Sequence, residues 1–120
     1  MARIRSRGNR STELRLIRIL RKYAIRGWRR GSRLPGKPDF VFCRQKVAIF
    51  VDGDFWHGNP NSFRIPKTNQ AYWSAKIERN RARDVEATAE LEALGWTVFR
   101  IWESSLRDEE AVAGRLKLLL

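Results

Sequence analysis

Between Pro38 and His57 the chain gathers residue types that do chemistry together. Three carboxylates (Asp39, Asp52, Asp54), its single histidine (His57) and the adjacent aromatics Phe55 and Trp56 fall at the ends of two short apolar stretches. Carboxylates repel phosphate unless a cation stands between them. An acidic cluster in a chain of net charge +12 therefore suggests metal-dependent cleavage of a phosphodiester.

Each residue has a chemical and a plain reading. Asp39 follows a proline at the start of a strand, where its carboxylate can ligate a hard cation. A turn-forming aspartate after proline fits equally well. Val51 ends the next strand, and its backbone carbonyl is an oxygen donor that magnesium or calcium accepts. Asp52 and Asp54 can join a metal shell directly or through water. Loop solubility is the plainer account of both, and the preferred one for Asp54. An imidazole titrates near neutrality, so His57 can take a proton from water at a phosphate. Asp84 can hold such an imidazole in one tautomer. Taken alone, it reads as a helix-surface partner of Lys76, Asn80 or Arg81.

The charge is uneven. Residues 1–37 hold 13 Lys and Arg against one acid, Glu13, whereas residues 38–120 hold 12 of each sign. A basic third with tryptophans beside it points to a polyanion, and to nucleic acid before an anionic membrane. A solvated basic arm is the bland alternative. No apolar run approaches the roughly 20 residues that span a bilayer, and the first residues lack the apolar stretch of a secretory signal. The lone Cys43 forms neither an internal disulfide nor a cysteine zinc site. These features fit a cytoplasmic, nucleoid-associated location.

The elements that must position these groups read as one α/β domain over residues 1–120, with a basic, mobile arm over 1–10. Ser11 or Thr12 caps a first helix, with Glu13 in its first turn and Leu14, Ile17 and Leu20 at helical spacing, to about residue 25. A short strand is expected between this helix and the strand pair. Leu34-Pro35-Gly36-Lys37-Pro38 is a turn. Strands over 39–43 and 46–51 form a pair joined at Arg44-Gln45. Residues 53–68 form a long irregular loop. A second helix, capped by Thr68 or Asn69, runs to about residue 94, where Gly95 ends it. A strand over 97–102 and a helix over 105–119 follow. This order predicts a central mixed sheet flanked by helices. Trp28, Trp96 and Trp102 are expected in the core, while Phe55, Trp56 and Trp73 flank polar loops where aromatics can stack on or wedge between bases.

With these residues laid out, the chain resembles the very-short-patch-repair (Vsr) endonucleases of the PD-(D/E)xK nuclease superfamily. The resemblance spans roughly residues 2–107. It rests on ordered segments: Arg3-Ile4-Arg5-Ser6 with Thr12-Glu13-Leu14; Leu34-Pro35-Gly36-Lys37-Pro38-Asp39-Phe40; 47–57; Pro66-Lys67-Thr68; Trp73 with Lys76-Ile77 and Asn80; Arg83-Asp84; and Leu91-Glu92-Ala93-Leu94-Gly95-Trp96 with Trp102-Glu103. It implies a restriction-endonuclease-like core and a magnesium-dependent nick in duplex DNA beside a thymine mispaired with guanine.

By position, Asp39 resembles the carboxylate metal ligand, Val51 the carbonyl ligand and Glu13 the acid that holds a metal-bound water. His57 resembles the catalytic base and Asp84 the partner that orients it. Phe55, Trp56 and Trp73 resemble the aromatics that wedge into DNA. The basic segment with Arg3, Arg5 and Arg7 resembles the arm that clamps the duplex. Two departures stand out. The family often has a second histidine where this chain has Asp52, which leaves that position's catalytic role open. Well-studied members hold a structural zinc on three cysteines and a histidine. Here the matching region offers Asp54, Asn59 or Pro60, Asn61 and Ser104, a poor zinc set, so no structural zinc is expected.

The expectation is thus a monomeric enzyme using one or two magnesium ions on double-stranded DNA. Its rivals are a non-cleaving binder of mismatched or distorted DNA and a nuclease of this type with a homing or defence role. A basic RNA-binding protein explains the charge but not the carboxylate–histidine set.

Overall fold

A computed structural model of the chain describes residues 10–53 and 68–120. Helix α1 (Arg10–Lys22) places Leu16, Ile17, Ile19 and Leu20 on one buried face. Its Glu13 sits at the positive end of the helix and Arg21 and Lys22 at the negative end, both favourable against the dipole. The helix starts before the expected cap and ends three residues short of Ile25. The Thr12 hydroxyl does not cap it, but donates to Glu103 Oε2 at 3.1 Å.

Strands β1 (Trp28–Arg30), β2 (Phe40–Phe42), β3 (Val47–Asp52) and β4 (Thr97–Trp102) form one sheet in the order β1-β2-β3-β4. The first three pair antiparallel and β3 with β4 parallel. The sheet is mixed, as expected. The strand pair is offset from its expected bounds because Lys46 adopts a left-handed φ of 57°, which puts it in the turn and starts β3 at Val47.

All six residues of β3 are buried, which a strand covered on both faces requires. Alternation divides its side chains. Val47, Ile49 and Val51 join Phe40, Phe42, Phe99 and Ile101 against α1 and a C-terminal helix, α3 (Glu109–Leu119). Ala48 and Phe50 join Val41 and Leu91 on the opposite face. Leu91 belongs to α2 (Gln70–Ala93), part of the crossover that two parallel strands need. Only Ile77, Asn80, Ala87 and Leu91 of this helix are buried, so it lies on the sheet by one narrow stripe.

Gly95 stops α2 at φ 91°, with Trp96 N donating to Leu91 O and Gly95 N to Glu92 O, both at 3.0 Å. This is the paired-bond ending that favours glycine. At the other end Asn69 is the cap residue, but it is left-handed (φ 58°) and makes no side-chain capping bond. The last expected helix is divided: Glu103–Arg107 is a 3-10 turn. Asp108 then caps α3 by accepting from Ala111 N at 3.2 Å. Trp28, Trp96 and Trp102 are half-buried rather than central. Trp28 meets Phe40 edge-on, ring centres 5.7 Å apart.

Candidate active site

The strand register brings the carboxylates to one end of the sheet. β2 begins where β3 ends, with Phe40 opposite Ile49, and Arg30 at the end of β1 stands opposite Phe40. Asp52 of β3 pairs with Trp102 of β4. Asp39, Asp52, Arg30 and Glu103 therefore all emerge at the same edge, where the two parallel strands finish. In open α/β sheets that carboxyl end is the usual position for a ligand site.

Asp39 is almost fully buried, 6% exposed. Its N–H donates to Ile49 O at 2.9 Å, and its Oδ2 accepts from Val51 N at 2.8 Å. The side chain thus bonds the next strand where Pro38, which has no N–H, interrupts the backbone ladder. In an antiparallel pair a residue's N–H and C=O face the same neighbour. The Val51 carbonyl therefore faces the side on which Asp39 stands.

Glu13 and Asp39 line one groove of about 630 Å³, together with Arg30, Gly31, Ser32, Arg33, Lys37 and Pro38. Glu13 is ion-paired with Arg30. Two carboxylates sit here among three cationic side chains, so both signs of charge meet in one groove. Among the described residues no three of His, Cys, Asp and Glu converge as a protein cage. Magnesium does not need one: it keeps several waters and takes one or two carboxylates plus substrate phosphates. Asp39 and the Val51 carbonyl are hard oxygen donors that fit such an ion.

Asp52 and Asp84 meet in a second, smaller cleft of about 230 Å³, with Arg81, Val85, Arg100, Ile101 and Trp102 on its walls. Asp52 faces α2 because it alternates with Val51. Arg100 of β4 reaches both carboxylates, with Nη1 at 3.1 and 3.2 Å from the Asp52 oxygens and 3.7 Å from Asp84 Oδ1. Asp84 is thus tied across to the sheet, whereas Asn80 is hydrogen-bonded by Arg83. Trp73 is half-buried near the start of α2, edge-on to Tyr72 with ring centres 4.9 Å apart.

Arg3, Arg5, Arg7, Asp54, Phe55, Trp56 and His57 lie outside the described residues, as do Asn59, Pro60 and Asn61. The structure therefore brings Glu13 to Asp39 and Asp52 to Asp84, at one end of one sheet. Four contributors, Arg30, Arg33, Lys37 and Arg100, are absent from the sequence-based site. Arg33 and Lys37 on the groove are ordinary loop cations in sequence. Arg100 carried a usable signal: it is the one charged residue of the strand, set between Phe99 and Ile101.

A mixed sheet between helices, with carboxylates at its strand ends, defines a restriction-endonuclease-like α/β domain. The family model described as DNA mismatch endonuclease Vsr matches residues 1–62, and the chain belongs to that family. It is 43% identical over 96 residues to a type II nicking enzyme, V.NmeDIP, of Neisseria meningitidis serogroup C, covering 78% of this chain and 65% of the relative. It is 46% identical over 88 residues to the type II nicking enzyme V.XorIIP of Xanthomonas oryzae pv. oryzae, covering 72% and 65%. The DNA mismatch endonuclease Vsr of Escherichia coli K12 is 36% identical over 99 residues, covering 82% and 64%. The chain spans just under two thirds of the length of these three relatives. Among the described residues no helix is long and apolar enough to cross a membrane.

Proposed function

We propose that this chain is a DNA endonuclease that nicks one strand of a duplex by magnesium-dependent hydrolysis, at or beside a T:G mismatch. The observation that carries the reading is the buried Asp39 carboxylate, bonded to the end of β3 and opening with Glu13 onto a groove lined by Arg30, Arg33 and Lys37. The names of the relatives, nicking enzymes and a mismatch endonuclease, support the same substrate.

Asp39 and the Val51 carbonyl would hold magnesium. When bound, the ion supplies charge neutralisation at the phosphoryl and leaving oxygens. The protein's own part is positional. Arg33 and Lys37 bind backbone phosphate and set the register of the duplex. Glu13 positions water at the groove. His57 takes the proton of the attacking water, with Asp84 orienting its ring. Arg3, Arg5 and Arg7 clamp the duplex, while Phe55, Trp56 and Trp73 wedge at the mismatch. The enzyme works as a monomer, in the cytoplasm where its substrate lies, and without a structural zinc.

Cleavage mapping on end-labelled duplexes carrying each mismatch, with and without magnesium, tests the proposal. A nick confined to one strand, strongest at T:G and absent without magnesium, is the expected result. Intact DNA of every kind would leave only a binder of distorted DNA.

A further inference from the structure

We infer that Arg100 is a positioning residue for this cleavage, holding the end of β3 and the carboxylate of Asp84 in their working places; the inference rests on the nuclease reading above. Every nitrogen of its guanidinium is engaged. Nε donates to Thr88 Oγ1 at 3.2 Å, and Nη1 donates to both Asp52 oxygens at 3.1 and 3.2 Å. Nη2 donates to the Asp84 carbonyl at 3.3 Å. The guanidinium carbon Cζ lies 4.0 Å from the centre of the Phe50 ring. Asp84 is thus reached at two points, its backbone carbonyl by Nη2 and its carboxylate by Nη1 at 3.7 Å.

Two consequences follow from this geometry. The Val51 carbonyl belongs to the peptide that joins Val51 to Asp52. Anchoring the Asp52 side chain restrains the plane of that peptide, and with it the direction of the carbonyl beside Asp39. The second consequence is electrostatic. Asp52 is 6% exposed and shares a small cleft with Asp84. Two carboxylates there repel, and the guanidinium between them offsets that repulsion and holds both side chains. A forked, planar cation does this where an ammonium cannot. Arg100 lines neither the groove of Asp39 nor its basic rim, so its action passes through Asp52 and Asp84.

Single-turnover nicking of a mismatched duplex by Arg100→Met, Asp84→Asn and the double variant tests this, beside DNA binding measured without divalent cation and a thermal melt. The expected result is a fall of about tenfold or more in the cleavage rate constant for Arg100→Met with DNA affinity unchanged. Arg100→Lys should recover part of the rate. The double variant should be slower than Asp84→Asn alone, but by clearly less than the Arg100→Met loss, because only the part of Arg100's action that passes through Asp84 is already gone. Should Arg100→Met fail to fold, Arg100→Lys and its double with Asp84→Asn carry the same comparison. A wild-type rate in folded Arg100→Met overturns the inference, as does a full multiplicative loss in the double variant. A wild-type protein that nicks no duplex overturns the nuclease reading itself, and this inference with it.

Discussion

The Asp39 carboxylate accepts the backbone N–H of Val51 at 2.8 Å, which joins the one buried acid of the basic groove to the strand end whose carbonyl faces it. A single side chain therefore has two duties: it ties the ends of β2 and β3 together and it lines the groove. These duties are separable by substitution. The amide of Asn keeps an acceptor for Val51 N–H but loses the charge, whereas Ala loses both.

Asp39→Asn is accordingly expected to fold, to bind duplex DNA as well as the wild type or better, and to show no nicking. Asp39→Ala should lose nicking and also be destabilised by about 1–3 kcal/mol, the cost of a buried donor left without an acceptor. Denaturant melts and gel-based nicking of both variants check this. Nicking by Asp39→Asn at the wild-type rate would remove Asp39 from the cation site.

The turn before Asp39 is fixed by close packing. Gly36 has φ 74°, and a Cβ there would stand 2.7 Å from Ala87 Cβ and 3.3 Å from the Phe50 ring. Lys37 N closes the turn on Leu34 O at 2.8 Å. Gly36→Ala is expected to destabilise the fold by about 1–3 kcal/mol through strain and overpacking. It should also slow nicking, since it displaces Pro38 and Asp39 with the turn. A melt midpoint equal to the wild type would show that α2 and the turn part freely.

Sequence reasoning reads those features of this fold that depend on neighbours along the chain. The apolar run of β3, the stop at Gly95 and the turn at Pro35 and Gly36 are local, and each lies within a residue of its expected place. Asp39 was readable as a rigidly placed carboxylate because proline precedes it. What escapes is fixed by partners far along the chain. Thr12 looks like a helix cap, yet its hydroxyl bonds Glu103, 91 positions away. Arg100 takes its meaning from Asp52, 48 positions away. The half-burial of Trp28, Trp96 and Trp102 depends on where each face of the sheet runs out of covering helix, which composition does not encode.

The two helices on one face of the sheet are tied by charge. Glu109 accepts from Arg18 and from Lys22, the latter at 3.1 Å. These hydrogen bonds, Arg18 first and then Lys22, hold its carboxyl below the ordinary carboxylate value. A depressed folded value means the unfolded chain binds more protons, so this stabilisation is present above the unfolded value and is lost as pH falls through the folded one. Glu109→Gln should therefore melt slightly below the wild type at neutral pH, by the small amount an exposed pair contributes. The gap should close in acid below the ordinary carboxylate range. A gap that persists or widens in acid would show that the carboxylate charge is not its source.

The basic groove makes a prediction that separates binding from chemistry. Arg30 is committed to Glu13, which leaves Arg33 and Lys37 as the cations beside Asp39 on that wall. Each phosphate contact releases condensed counterions, so removing one cation lowers the slope of log affinity against log salt by roughly one. Arg33→Ala and Lys37→Ala are each expected to weaken duplex binding almost equally for matched and mismatched DNA, and to flatten the salt dependence by about that amount. Their single-turnover rates at saturating DNA should stay within a few-fold of the wild type, because neither side chain acts on the proton or the nucleophile. Titrations at several salt concentrations measure the slope. An unchanged slope in the double variant would mean that the duplex backbone runs elsewhere, and that the groove of Asp39 is approached from its other side.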